Sequence, residues 1–255
     1  MTAWSWSQAP EAAKLTLPAA TAVHMQVQLA RTLRLRTLWP WLAVTLAVTL
    51  GGGAIVHFSV ESADRFADYV DSWGIRAIAL VALGLGTAAV RQDAEAGALS
   101  FFLLRPQAKT ALPIGRWLAV SLVAGALGVL SVTSLWLLTQ GTSAAMPFTD
   151  LLALLLAAVL AALSYSATFV TIAIWSRTAV GMSVGWLVLM DGLATQSTSF
   201  AVIAPSHYLA TLLGHESPPE TTAPAAVAAL LGWTVLMLIA AAVRLQREPP
   251  LTHQS

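Results

Sequence analysis

The stretch WLAVSLVAGALGVLSVTSLWLL, residues 117–138, carries no charged side chain from end to end. A helix needs about 20 predominantly apolar residues to cross the hydrocarbon core of a bilayer, and this run meets that length. Comparable runs recur along the chain at near-regular spacing. Composition agrees: 57% of the 255 residues are hydrophobic and only 10% are charged, against roughly 25% charged in an average soluble domain. An all-α membrane protein is therefore expected. Six spans are predicted, at about Leu38–Val60, Trp73–Val90, Trp117–Leu138, Leu151–Trp175, Val180–Ile203 and Ala223–Val243.

The loops between these runs orient the chain. Lys14, Arg31, Arg34, Arg36, Arg91, Arg105, Lys109, Arg116, Arg177, Arg244 and Arg247 fall on one side, and only Arg65 and Arg76 of the 13 basic residues fall on the other. The positive-inside rule then predicts cytoplasmic termini, and an even number of spans agrees. The expected location is the bacterial cytoplasmic membrane. Residues 61–72 are acid-rich, and 140–150 and 206–222 lack Lys and Arg, as suits outer loops. In the last of these, Tyr208–Leu213 reads as a short interfacial or re-entrant helix, or as an extension of the fifth span. Trp39, Trp41, Trp73, Trp117 and Trp175 lie at predicted span ends, as an aromatic belt would.

The predicted organisation is a flexible cytoplasmic tail (1–21), an interfacial helix (22–37), a six-span domain (38–243) and a second tail (244–255). Residues 1–20 lack the early basic region of a signal peptide, and Pro18 interrupts the apolar run that follows Lys14. Residues 24–39, HMQVQLARTLRLRTLW, mix apolar and arginine residues, the pattern of a helix lying in the interface with arginines toward lipid phosphates. Pro40 predicts a bend or a fresh helix start near Trp39.

The longest loop on the basic side, 91–116, contains a second apolar segment. EAGALSFFLLRP (95–106) is too short to span a membrane. A helix over Ala98–Arg105 fits it: Asp93 and Glu95 sit near the positive end of the dipole, Gly97 loosens the entry, and Pro106 disfavours helical geometry at Arg105. Leu99, Phe102 and Leu103 share one face. So short a helix does not hold in water by itself, so lipid, the rest of the chain or a partner must cover that face.

Here the chain resembles the type-2 ABC exporter permeases. VRQDAEAGALSFFLLRPQAKTALPIGRWLA (90–119) is similar to their signature loop, with Asp93, Glu95, Gly97, Leu99, Arg105, Pro106, Lys109, Gly115 and Arg116 at the matching places. The six spans, the preceding interfacial helix and the Ser176–Thr178 turn extend the likeness. The resemblance implies an elbow helix before the first span and a coupling helix between spans two and three. It implies that Asp93, Glu95, Gly97, Leu99, Phe102, Leu103, Arg105 and Pro106 face a separate ATPase subunit, which would bind ATP and magnesium; no cofactor is expected on this chain. Further partners are a second permease copy or a homologous permease, and membrane lipid. The alternative within the family is a subunit that passes ATPase motion to an extracytoplasmic protein.

Other chemistry finds little support. The chain has no P-loop pattern and no cysteine, and its net charge of +1 does not favour nucleic acid. No histidine pair has metal-ligand spacing. GMSVG (181–185) matches a nucleophile-elbow pattern, but it opens a predicted span without the strand that elbow needs. Gly181 and Gly185 read instead as a small-residue helix-packing pair. An intramembrane enzyme lacks a nucleophile, base and acid set, and a secondary transporter lacks a visible inverted repeat. Asp191 falls deep in the predicted fifth span, with Thr195, Gln196 and Thr198 after it. An intramembrane acid points to a polar pathway or to a hydrogen-bonded buttress, with Ser164, Tyr165, Ser166 and Thr168 as candidate partners. GGG at 51–53 reads as a hinge or a close contact.

Overall fold

The computed structural model describes residues 16–58, 69–95, 109–142, 145–191, 203–214 and 221–247, and among these it is helical with no strand. In chain order the helices are α1 (Leu17–Thr32), α2 (Leu35–Phe58), α3 (Ile75–Glu95), α4 (Ala111–Thr139), α5 (Phe148–Trp175), α6 (Ala179–Trp186), α7 (Pro205–Leu212) and α8 (Ala223–Arg247). Wide π-helical turns precede α3 at Val70–Gly74 and follow α6 at Leu187–Asp191. Among the described residues, five helices, α2, α3, α4, α5 and α8, are long and apolar enough to cross a membrane, so this is an integral membrane protein. The predicted fifth span is described only as α6 and the turn to Asp191; its continuation through 192–202 lies outside the described residues.

Helix ends follow local chemistry. Pro18 sits in the first turn of α1, where its missing N–H costs nothing and its fixed φ favours helix. It starts a helix at Leu17, inside the stretch expected to be a flexible tail, instead of interrupting one. α1 ends at Leu33, which closes the last turn onto the Leu29 carbonyl, and α2 begins at Leu35. The break between the first two helices is therefore at 33–34 and not at Trp39–Pro40; Pro40 lies inside α2. Pro147 is extended immediately before α5, and Asp150 in the first turn complements the helix dipole. α7 begins with Pro205 after extended Ala204, close to the short helix expected at 208–213.

α3 and α5 form the centre: 67% of each apolar stretch is buried, against 22% for α2 and α8. α4 packs on both, with α2 and α1 on its outer side; α8 and α7 pack on α5. Where helices meet in lipid, hydrophobicity does not draw them together, and small residues that let backbones approach matter most. Ala157, Ala158, Ala161 and Ala162 of α5 are fully or almost fully buried. A methyl group built on Gly125 would lie 3.6 Å from Ala162, one on Gly128 would be 3.7 Å from Ala158 and 2.8 Å from Ile78, and one on Gly86 would meet Phe169 at 3.0 Å. This seam is a close helix approach of the small-residue kind also expected of Gly181 and Gly185. Those two glycines have nothing within 4 Å of an added Cβ among the described residues.

The glycine triplet also resolves as a close contact. Tyr69 reaches across to α2, its hydroxyl donating to the Val48 carbonyl at 2.7 Å, and a methyl on Gly51 would come within 2.5 Å of that hydroxyl. The Trp41 ring of α2 lies on Gly84 of α3, where an added Cβ would overlap the ring. Gly84→Ala should therefore overpack this contact and cost about 1–3 kcal/mol. The expected result is a lowered melting temperature of the detergent-solubilised protein, with no such loss for Gly232→Ala, whose added methyl meets nothing within 4 Å.

Candidate functional site

Three charged side chains from three helices meet at the end of the bundle where α1 and α4 begin their contact. The Asp93 carboxylate, near the end of α3, accepts from the Arg31 guanidinium of α1 through Oδ1 and from the Arg116 guanidinium of α4 through Oδ2. Asp93 and Arg116 are buried, 3% and 2% exposed, whereas the Arg31 side chain is about one-third exposed. Buried charges persist only when paired and hydrogen-bonded, and Asp93 uses both oxygens in doing so. Among the described residues, the buried Nη1 of Arg116 has no hydrogen-bond partner.

Two local features bring these groups together. The first is the length of α3, which continues past Val90 to Glu95 and so carries Asp93 on a helix, not on a loop. α4 likewise starts at Ala111, which places Arg116 within a helix; both residues were expected in the connection 91–116. The second is Gly115. A Cβ there would lie 2.7 Å from the Thr21 carbonyl oxygen, 2.7 Å from the His24 Cβ and 3.0 Å from the Met25 nitrogen. α1 thus rests almost backbone to backbone on α4, one residue from Arg116.

The face that α1 buries is Ala20, His24, Gln28 and Thr32, at a spacing of four. It is mostly polar: the Gln28 amide donates to the Thr32 hydroxyl at 3.3 Å, and that hydroxyl donates to the Gln28 carbonyl at 2.9 Å. The exposed face carries Val23 and Val27, and Leu33 and Leu35 continue it beyond the helix end. α1 is amphipathic with its polar side inward and its apolar side outward. Arg31 therefore turns toward Asp93, where the sequence pattern had sent it to lipid phosphate.

Of the residues expected to face an ATPase, Asp93 is turned into the bundle. Glu95 is placed only as the last residue of α3, its side chain lying outside the described residues; Gly97, Leu99, Phe102, Leu103, Arg105 and Pro106 also lie outside them. The sequence reading placed Arg116 in the signature loop and Arg31 toward lipid, and did not pair either with Asp93. The signal for them was Asp93 itself, an acid embedded among basic residues at the end of an apolar run.

The second expected polar site is partly placed. Asp191 closes the π-helical turn after α6, with its side chain outside the described residues, as are Thr195, Gln196 and Thr198. Of the α5 residues proposed as its partners, Ser164 and Thr168 have local ones, whereas the buried Ser166 hydroxyl has no partner among the described residues. Ser164 donates to the Leu160 carbonyl and Thr168 to the Ser164 carbonyl, at 2.8 and 2.9 Å. Thr168 also accepts from the Trp233 indole of α8 at 2.9 Å. Tyr165 stacks on Phe169, and both meet Trp186 edge-on. This aromatic group joins α5, α6 and α8.

The tryptophans at span ends divide. Trp39 and Trp73 are exposed. Trp117 donates to the Leu163 carbonyl at 3.0 Å and Trp175 to Ala240 at 3.3 Å, tying α4 and α8 to α5, and the Arg244 guanidinium lies 5.7 Å from the Trp175 ring centre. Among the described residues, no three His, Asp or Glu side chains converge as a metal site would need. No protein-family model matches the chain, and comparison with curated proteins finds no match.

Proposed function

We propose that this chain is the permease subunit of an ATP-driven type-2 ABC exporter, coupling ATP hydrolysis in a separate subunit to movement of a substrate across the membrane. The observation that carries this reading is the Arg31–Asp93–Arg116 cluster. Asp93 precedes, and Arg116 follows, the segment 96–108 that resembles a coupling helix. Joining the two flanks to each other and to α1 makes the ends of α1, α3 and α4 one unit. A displacement of the segment by an ATPase would then be delivered to the two flanking helices together, and α3 lies at the bundle centre.

In this reading the ATPase binds ATP and magnesium, and Leu99, Phe102 and Leu103 are the apolar contacts it covers. The pathway lies between this chain and a second permease copy or a homologous one, with Asp191, Thr195, Gln196 and Thr198 as its polar surface. The cluster lies on the cytoplasmic side, as the distribution of Lys and Arg requires.

The test is purification of the tagged chain from its native membranes, followed by assay of co-purified magnesium-dependent ATP hydrolysis. Leu99→Asp places a charge at the centre of the apolar contact. It should lower the co-purified activity about thirtyfold, the size expected for losing a 2 kcal/mol interface anchor, while the chain remains inserted. Undiminished activity with Leu99→Asp would overturn the assignment.

A further inference from the structure

An open recess of about 330 Å³ lies between the end of α1 and the end of α3, lined by Arg31, Arg34, Thr37, Gln92 and Asp93. Its hydrogen-bonding capacity is one-sided. Asp93 is the one carboxylate among these lining residues, and both its oxygens are taken by Arg31 and Arg116. What remains to offer a ligand is the guanidinium of Arg34, the outer nitrogens of Arg31, the Thr37 hydroxyl and the Gln92 amide. Arg34 has no ion-pair partner among the described residues. The recess itself is lined by two guanidiniums, Arg31 and Arg34, against one carboxylate, and that carboxylate also pairs with the buried Arg116. Among the described residues, the Nη1 of Arg116, which shares Asp93, also lacks an acceptor. An anion with several acceptor oxygens complements this set of donors, and guanidinium forks match phosphate oxygens particularly well.

The surroundings select the source of that anion. Leu33, Leu35 and Trp39 are 58%, 73% and 62% exposed and flank Arg34 and Thr37 along the chain. α2, whose first turn contains Leu35 and Thr37, is one of the membrane-crossing helices. The basic recess therefore opens beside apolar side chains at the foot of a span, at the level where a lipid places its phosphate above its acyl chains. Basic pockets between helices at this depth suit anionic headgroups.

We propose that this recess binds the phosphate of an anionic phospholipid headgroup, held by Arg34 and Arg31 with Thr37 and Gln92 as neutral donors, while the acyl chains lie along Leu35 and Trp39. The lipid supplies the negative charge that Asp93 cannot give to a third arginine. It would also brace the junction between α1 and α2, where the chain turns at residues 33–34. This site is independent of the ATPase assignment, since it requires only the membrane and the described helices.

The experiment is native mass spectrometry of the full chain released from vesicles of equal phosphatidylglycerol and phosphatidylcholine. The wild type should retain one phosphatidylglycerol in preference to phosphatidylcholine. Arg34→Gln, which breaks no ion pair within the described fold, should weaken that retention about tenfold or more, as expected for loss of a charge-assisted bond. Thr37→Val should weaken it less, and Arg247→Gln, at the far end of α8, should leave it unchanged. Equal loss with Arg34→Gln and Arg247→Gln would mean diffuse attraction and would overturn the site. Displacement of the retained lipid by millimolar inorganic phosphate alone would assign the recess to a free anion, and retention of neither lipid would also overturn the proposal.

Discussion

Asp93→Ala should destabilise the protein by about 3–5 kcal/mol, the cost of removing one partner from a buried ion pair. The reason lies in what stays behind. Arg116 is 2% exposed and, among the described residues, already has one nitrogen without an acceptor; without Asp93 its guanidinium would be buried with no counter-charge from them. Arg31 reaches solvent and contributes less to the loss. The expected result in detergent is a large fall in melting temperature together with earlier proteolytic cleavage in α1. The double variant Asp93→Leu/Arg116→Met should recover much of the loss, because an apolar pair can replace a buried ion pair at little net cost. The double-mutant cycle then separates the ion pair from general packing damage. An unchanged melting temperature for Asp93→Ala would show that the cluster holds nothing together.

Gly115→Leu should detach α1 from the bundle. Even a methyl group there meets two backbone atoms, the Thr21 oxygen at 2.7 Å and the Met25 nitrogen at 3.0 Å, as well as the His24 Cβ at 2.7 Å. Backbone cannot rotate aside as the end of a side chain can, so α1 itself must move. Overpacking of this kind costs about 1–3 kcal/mol and sometimes more, and leucine adds three further carbons. Moving α1 would also draw Arg31 away from Asp93, so the two losses are coupled. Limited proteolysis should show α1 cleaved first while the remaining helices stay protected. Gly181→Leu, where nothing lies within 4 Å of an added Cβ, is the control that should keep α1 protected. Equal protection of α1 in Gly115→Leu and the wild type would refute the close approach. The two variants also bear on the proposed function: each should weaken coupling to an ATPase without altering Leu99, Phe102 or Leu103.

Much of the architecture was legible in the amino-acid sequence because lipid imposes a simple rule. Backbone groups in hydrocarbon must bond within their own helix, so apolar runs such as 117–138 had to be helices, and their lengths fixed most boundaries to within a turn. α4, α5 and α8 overlap the predicted spans almost completely. Pro205 and the short helix after it were close to the predicted segment at 208–213. Where helices extend beyond the hydrocarbon, that rule no longer applies. The continuation of α3 to Glu95 and the start of α4 at Ala111 were therefore read as loop, and α1 was started too late and given its arginines outward.

What the sequence by itself determined is the class of the protein, its long apolar helices and the presence of an unusual charged and apolar segment near residues 91–116. Those follow from composition and length, which are properties of one segment at a time. Only the tertiary structure decided that Arg31, Asp93 and Arg116 share one cluster, that Gly115 admits α1, and that Gly86, Gly125 and Gly128 line a close seam. Each of these depends on which faces of different helices meet, and several glycines match the same small-residue pattern equally well. In a membrane the apolar faces are all alike to lipid, so partner choice is made by shape and by a few buried polar groups. Their pairing appears only when the helices are packed.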